Sequence, residues 1–469
     1  MTALDNEPLG RRATAEPTSL TLESPEHKRP SMVKVAVATT VGTTVEYYDF
    51  FIYGTAAALV FPTVFFGTLG EAGAMMASFA TFAVAFFARP VGAMVFGHYG
   101  DRIGRKRALV STLLIMGVAT VLIGLLPTPA VLGSAAWLAP TLLVTLRFLQ
   151  GFAVGGEWAG AALMAAEYAP PKLRGYFASL PMLGPAIAFG LASVTFLITN
   201  QVMGDSSDAF MTIGWRVPFI LSAALVLLGL WIRLSIEETP VFRAAQQARA
   251  AAGADAAPRT LPIFESVRRQ WKEMLLGAVA FSSLFTFFYF GTSFLSSYGA
   301  KALQLSRPEI LTAGILASFA FAAVTVGSGL LSDRIGRRWV LVIAGVAGLI
   351  WSFSLFPVMN MGVTDGQGTM TSFVLGVTGT LLVAGLSFGA AGSFLPELFQ
   401  TEYRYTGAGM AYSLAGVLGG AVPPLVATGL LATHGSGAVA LMLAGISLAS
   451  VLVLLSLRET RGTALHQEA

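Results

Sequence analysis

Two stretches of this 469-residue chain are nearly copies of each other: Gly97-His-Tyr-Gly-Asp101-Arg102-Ile103-Gly104-Arg105-Lys106 and Gly329-Leu-Leu-Ser-Asp333-Arg334-Ile335-Gly336-Arg337-Arg338, offset by 232 positions. Each is a compact run of charge between two long apolar segments. The repeat divides the chain into two similar halves, each with a basic turn between its second and third apolar stretches. Two further echoes keep the same order. Glu167 precedes Arg174 by seven positions, as Glu397 precedes Arg404; Glu238-Thr239 follows the sixth apolar stretch, as Glu459-Thr460 follows the last.

The apolar stretches are long enough to belong in lipid. Hydrophobic residues make up 55% of the chain, charged residues only 12%, and the mean hydropathy is +0.71, which excludes an ordinary soluble globular protein. A bilayer core needs about 20 mostly apolar residues per helical span, and twelve such spans are read near 33–60, 74–98, 108–127, 137–165, 177–200, 216–234, 273–299, 309–331, 338–358, 370–396, 405–432 and 437–457. The fold class expected is therefore an all-α membrane protein of twelve transmembrane helices in two six-helix repeats. Residues 1–32 read as a disordered cytoplasmic tail with no signal peptide, 33–234 as the first bundle, 235–272 as a cytoplasmic linker, 273–457 as the second bundle and 458–469 as a second tail. The end of the linker, residues 263–272, is compatible with an amphipathic helix on the inner leaflet and equally with a solvated one.

The charge pattern orients the chain. Arg102, Arg105, Lys106, Arg107, Arg174, Arg334, Arg337, Arg338 and Arg404 fall in even-numbered connections, whereas the odd-numbered ones hold only Lys301 and Arg307, with Arg216 at the start of a span. By the positive-inside rule both termini are cytoplasmic, in a cell (inner or plasma) membrane. Each basic cluster is short and flanked by spans, so nucleic acid is not the expected partner; membrane lipids are. The absence of cysteine excludes disulfides and thiolate chemistry. The four histidines are scattered, and no nucleophile–base pair or metal-spaced cluster stands out. Neither an enzyme nor a metal site is expected.

At this point the residues carry a family. The doubled Gly-x-x-x-Asp-Arg-x-Gly-Arg-Lys/Arg loop resembles the signature of the major facilitator superfamily. Val45–Gly54, Phe87–Gly92, Gln150–Trp158 and Gly214–Phe219 are similar to the metabolite:proton symporter branch, whose members carry proline or glycine betaine, shikimate, 2-oxoglutarate and other small carboxylates. The resemblance implies alternating access, no cofactor beyond a proton gradient as energy source, a small-molecule substrate and a proton as partners, and a monomer. Parallel repeats of this kind hold substrate between the halves near the midplane.

The working site is sought among ionisable residues inside spans, because each costs about 2.5–3.5 kcal/mol at the bilayer centre unless it faces a cavity or a partner. The first half holds five: Glu46, Asp49, Arg89, Arg147 and Glu157. Counting about 1.5 Å per helical residue from the nearest cytoplasmic charge puts Glu46, Asp49, Arg89 and Glu157 about 15–22 Å deep, in one layer, and Arg147 about 30 Å deep, nearer the outer mouth. Three acids against two bases leave one carboxylate in surplus, which suits proton coupling and makes Glu46, Asp49 and Glu157 its candidates. Arg89, followed by Pro90, and Arg147 are candidates for a substrate carboxylate; the spacing of Arg147 before Gly151 also resembles the fourth-span arginine associated in the superfamily with proton coupling. Tyr47 and Tyr289 are candidate cavity groups. The other aromatics of the first span, Tyr48, Phe50, Phe51 and Tyr53, are expected in packing or against lipid. Any single charged member could equally serve packing alone, Glu46 with Arg89 as a fixed ion pair.

The cytoplasmic loops suggest a gate. Asp101 and Asp333 can accept from backbone amides at helix starts, and Arg102, Arg105, Arg334 and Arg337 can pair with Glu167, Glu238, Glu397 and Glu459, with Arg174 and Arg404 nearby. The reading from all this is a proton-coupled symporter importing a small organic acid or zwitterionic osmolyte. The alternatives are a proton-linked exporter, for which Gly184-Pro185 offers a partial motif, and a non-transporting membrane receptor.

Overall fold

The computed structural model describes residues 32–103, 105–155, 169–204, 208–235, 262–400 and 404–462. The long helices are α1 (Met32–Leu59), α2 (Gly70–Ile103), α3 (Arg105–Leu125), α4 (Leu138–Val154), α5 (Leu183–Met203), α6 (Val217–Ser235), α7 (Pro262–Tyr289), α8 (Arg307–Ile335), α9 (Arg337–Met359), α10 (Met370–Glu397), α11 (Arg404–Ala415) and α12 (Val422–Ser456). The all-helical architecture expected from the sequence is the one observed. In lipid a helix satisfies its own backbone polar groups, whereas an open sheet edge cannot.

Nine described helical segments are long and apolar enough to cross a membrane, and Pro129–Ala135 with Leu138–Val154, bent by 112° at their junction, forms a tenth. One of the nine, Thr406–Ser456, contains two passes joined at Gly435, whose φ of 76° and ψ of −176° break the helix. Helix α1 falls outside this set because it carries Glu46, Asp49 and three tyrosines. The polarity that disqualifies it as a generic span is the polarity of the site. Large side chains such as Phe319, Ile350, Trp231 and Leu441 are two-thirds exposed and form the lipid-facing surface that a bilayer would cover.

Two spans of the second half are interrupted by π-helical turns: Phe290–Phe294 follows α7 and leads into Leu295–Lys301, and Gly416–Ala421 joins α11 to α12. Helix α7 begins at Pro262 and is broken at Gln270 (φ −124°, ψ 25°), so the end of the linker is helical and set off from the span by a kink. Residues 236–261 lie outside the described residues.

Small residues set the distances inside each half. A Cβ on Gly151 of α4, or on Gly155 at its C-terminal cap, would strike the backbone of Ala85 or Arg89 on α2, and one on Gly92 would strike the backbone of Phe152. Gly151 and Gly155 form the small-xxx-small pattern that lets membrane helices touch backbone to backbone. In the second half Gly389 of α10 meets the backbone of Thr325 and Gly329 on α8 in the same way. Across the halves, α8 packs along α5 and the short helix Arg174–Ser179, and α2 packs against α11, its π turn and α12.

Candidate functional site: two charged groups on one helix face

Glu46, Asp49, Phe50 and Tyr53 recur at the i, i+3, i+4, i+7 spacing that defines one face of α1, and all four are buried. Tyr47, Tyr48 and Phe51 are buried too, so of packing and lipid contact it is packing that the aromatics of this span serve. The second half covers that side: Tyr47 shares a 2.7 Å hydrogen bond with Tyr412, and Phe51 packs on Phe288 at 5.5 Å between centroids.

The face serves two groups of polar side chains. Towards the second half, Glu46, Tyr47, Arg89, Val154, Gly155, Gly409, Tyr412 and Ser413 line a cavity of about 10 Å³, room for about one water molecule. Tyr289 stands beside it, its ring 4.9 Å from Phe86 and 5.9 Å from Phe50. Arg89 Nε and the Tyr289 hydroxyl lack an aligned hydrogen-bond partner among the described residues.

Inside the first half, a chain of hydrogen bonds runs from α4 through α3 to α1. Arg147 Nη1 donates to Gln150 Oε1 (3.1 Å), Gln150 Nε2 donates to Thr120 Oγ1 (2.6 Å), and the Thr120 hydroxyl donates to Asp49 Oδ2 (2.7 Å). Asp49 Oδ1 and two guanidinium nitrogens of Arg147 have no hydrogen-bond partner among the described residues. Thr120 and Gln150 were not read from the sequence as site residues; uncharged side chains in a span carry no burial penalty large enough to flag them. Arg147 is fully buried, its guanidinium 4.0 Å from the centroids of both Phe50 and Tyr53. The arginine side chain reaches along its helix, so its charge lies away from the level of its own Cα.

The remaining sequence candidates fall as follows. Glu157, Glu167 and Glu238 lie outside the described residues; Asp101, Arg102 and Arg105 are placed in backbone only. In the second half Asp333 accepts from the backbone N–H groups of Gly175 (2.8 Å) and Tyr176 (2.9 Å), across the boundary between halves, and pairs with Arg337 (3.1 Å). Glu397 is buried between Arg174 (3.5 Å) and Arg337 (3.4 Å) and accepts from the Thr460 hydroxyl (2.6 Å). Glu459 departs from the expected arginine pairing. It accepts from the backbone N–H groups of Arg337 and Arg338 at the start of α9, where the helix dipole favours an anion. Gly336 has φ of 105°, and a Cβ there would meet the Glu459 carboxylate, so this glycine of the repeated loop has both a conformational and a steric reason. Arg404 Nε donates to the carbonyl of Pro396 (3.1 Å), and Arg334 is exposed.

At the opposite rim Lys301 pairs with Glu71 at 2.8 Å, and Arg307 lies 5.0 Å from the Phe210 ring and donates to Met211 Sδ (3.2 Å). Contacts thus join the halves at both ends of the cavity. Among the described residues no group of three or more His, Asp or Glu is placed to hold a metal ion.

The profile of the sugar (and other) transporter family matches residues 35–468. The chain belongs to that family, within the major facilitator superfamily. It is 41% identical over 453 residues to the inner membrane metabolite transport protein YhjE of Escherichia coli K12, covering 95% of this chain and 98% of that one. It is 36% identical to the shikimate transporter of the same organism (85% and 87% covered), and 30% identical to its proline/betaine transporter (84% and 77%). Among solved structures, the D-xylose–proton symporter superposes with a TM-score of 0.69 at 19% identity over 92% of this chain and 99% of that one, a likeness of fold. The protein is thus a membrane transporter of the metabolite-carrying kind, not an enzyme.

Proposed function

We propose that this transporter is a proton-coupled symporter importing a small organic acid or zwitterionic osmolyte by alternating access, with both termini in the cytoplasm. The observation that carries the reading is the pairing of two buried polar groups on one face of α1. One borders a cavity between the halves and holds Arg89 with Glu46 and the hydroxyls of Tyr47 and Tyr412; the other holds Asp49, with an oxygen lacking a hydrogen-bond partner among the described residues, near Arg147. Arg89 suits a substrate carboxylate, and the tyrosine hydroxyls suit its polar substituents. Asp49 suits proton exchange, because it is a buried carboxylate inside a span with one oxygen lacking a hydrogen-bond partner among the described residues.

Within the substrate class, the geometry favours a carboxylate over a quaternary ammonium. Guanidinium groups already occupy several aromatic faces near the cavity: Arg89 on Phe50 and Phe86, Arg147 on Phe50, Tyr53 and Phe82. The relatives named for shikimate and for proline and betaine support the same range of substrates. Uptake of labelled shikimate, 2-oxoglutarate, proline and glycine betaine into proteoliposomes, with and without an inward proton gradient, tests the reading. Gradient-stimulated uptake is expected for at least one of the four, each of which carries a carboxylate, with glycine betaine taken up most weakly. Absence of stimulation for all four would overturn it.

A further inference from the structure

Helix α7 enters the membrane through a break. Its first residues, 262–269, run as helix up to Gln270, whose φ of −124° and ψ of 25° turn the chain before the span begins. Beyond the break Trp271 and Leu275 stand one helical turn apart on one face, each about half exposed, while Met274 and Gly277 on the other side are buried. Leu275 and Leu276 open the lipid-facing stripe of this span. Trp271 therefore sits where the stripe meets charge, the depth at which an indole presents its ring to acyl chains and its N–H to headgroups. Arg268, Arg269 and Lys272 surround it, all exposed. The Lys272 ammonium lies 5.7 Å from the Trp271 ring centroid, within reach of its face. With Glu273 as the acid of this turn, residues 268–273 carry three cations against one anion. Trp339 on the same half provides the contrast. About half exposed, it heads another lipid-facing stripe through Ile343 and Val346, with Arg338 4.9 Å from its ring. Arg338 donates to the carbonyl of Leu457 at the end of α12 and is committed to protein. The side chains of Arg268 and Lys272 have no ion pair or hydrogen bond among the described residues.

We propose that the break at Gln270 is a docking site for the headgroup of an anionic phospholipid, in the leaflet at the rim expected to be cytoplasmic. Arg268, Arg269 and Lys272 meet the phosphate and the net negative charge of the headgroup. Trp271 and Leu275 seat on the glycerol and the first acyl carbons. Charge alone would admit an acidic peptide, but the apolar stripe continues directly from Trp271, and a soluble partner would have to lie against acyl chains. The lipid is the occupant that suits both parts of the surface. Docking holds residues 262–269 along the membrane surface, which is one of the two expectations for the end of the linker.

The site does not depend on which cargo is carried, so its test uses lipid alone. Purified full-length protein in detergent is titrated with phosphatidylglycerol or phosphatidylcholine, and bound lipids are counted by native mass spectrometry. Wild type is expected to prefer phosphatidylglycerol by at least about tenfold, since each basic residue near an anionic headgroup contributes about fivefold. Lys272→Gln and Arg268→Gln should each lower that preference about fivefold. Lys272→Arg should keep it, and Lys301→Gln, which removes the same charge at the opposite rim, should leave it unchanged. Trp271→Leu should weaken retention of both lipids, because the ring anchors without reading charge. All the substituted side chains are exposed, which keeps folding out of the readout. Cations that served only to orient the chain during insertion predict no preference that these substitutions alter, and that result would overturn the proposal. Displacement of phosphatidylglycerol by glycerol 3-phosphate or by a polyglutamate peptide at equal concentration overturns it as well, because the surface would then bind a free anion or a peptide and not a lipid.

Discussion

Asp49 and Arg147 are joined by a relay of neutral side chains, and the two ends of that relay should fail differently. Asp49→Asn removes the ionisable carboxyl while keeping an acceptor for Thr120. It is expected to abolish accumulation against a gradient in proteoliposomes while counterflow persists. Thr120→Val removes a donor and an acceptor from the middle of the relay and leaves buried Asp49 and Gln150 atoms unsatisfied, a loss of about 1–3 kcal/mol. It should lower the melting temperature in detergent as well as transport. Arg89→Lys keeps the charge but loses the planar fork, and is expected to raise the KM for a carboxylate while sparing counterflow at saturating substrate. At this scale the sequence was legible where burial is expensive. Glu46, Asp49, Arg89 and Arg147 stand out because charge inside a span needs a reason. Thr120, Gln150 and Phe50 do not, since hydroxyls, amides and rings are ordinary in spans and only their neighbours make them special.

The helices themselves were legible from their apolar runs, and the turns between them from the repeated charged loop. Their internal breaks were less so. The π turns at Phe290–Phe294 and Gly416–Ala421 and the kink at Gln270 leave no mark in hydropathy, because an extra residue in a helical turn changes its hydrogen bonding and not its composition. Contact between helices is more exacting than the helices' own preferences. Gly151→Leu should force α4 off α2, because the added side chain would enter the backbone at Ala85. Folded yield by fluorescence size exclusion is expected to collapse, as for an overpacked core costing more than about 1–3 kcal/mol. Gly42→Ala in α1, where nothing lies within 4 Å of an added Cβ, should be tolerated and stabilise the helix by up to about 1 kcal/mol. Two glycines in different spans thus separate packing from propensity.

Across the whole molecule the two rims are built from different materials. At the cytoplasmic rim expected from the charge pattern, Glu397 is buried among Arg174, Arg337 and Thr460, whereas the Glu71–Lys301 pair at the other rim is exposed to solvent. Exposed pairs are worth about 0–1 kcal/mol and are screened over about 8 Å at physiological salt. Glu397→Gln should therefore loosen its rim strongly at any ionic strength, while Lys301→Gln should matter only at low salt. The chain contains no cysteine, so single cysteines placed at either rim and labelled with a thiol reagent report both outcomes without background. The cavity of about 10 Å³ between the halves has a consequence of another kind. In this conformation it has room for about one water molecule, so any cargo larger than water reaches Arg89 and Tyr412 only after the residues lining it move apart.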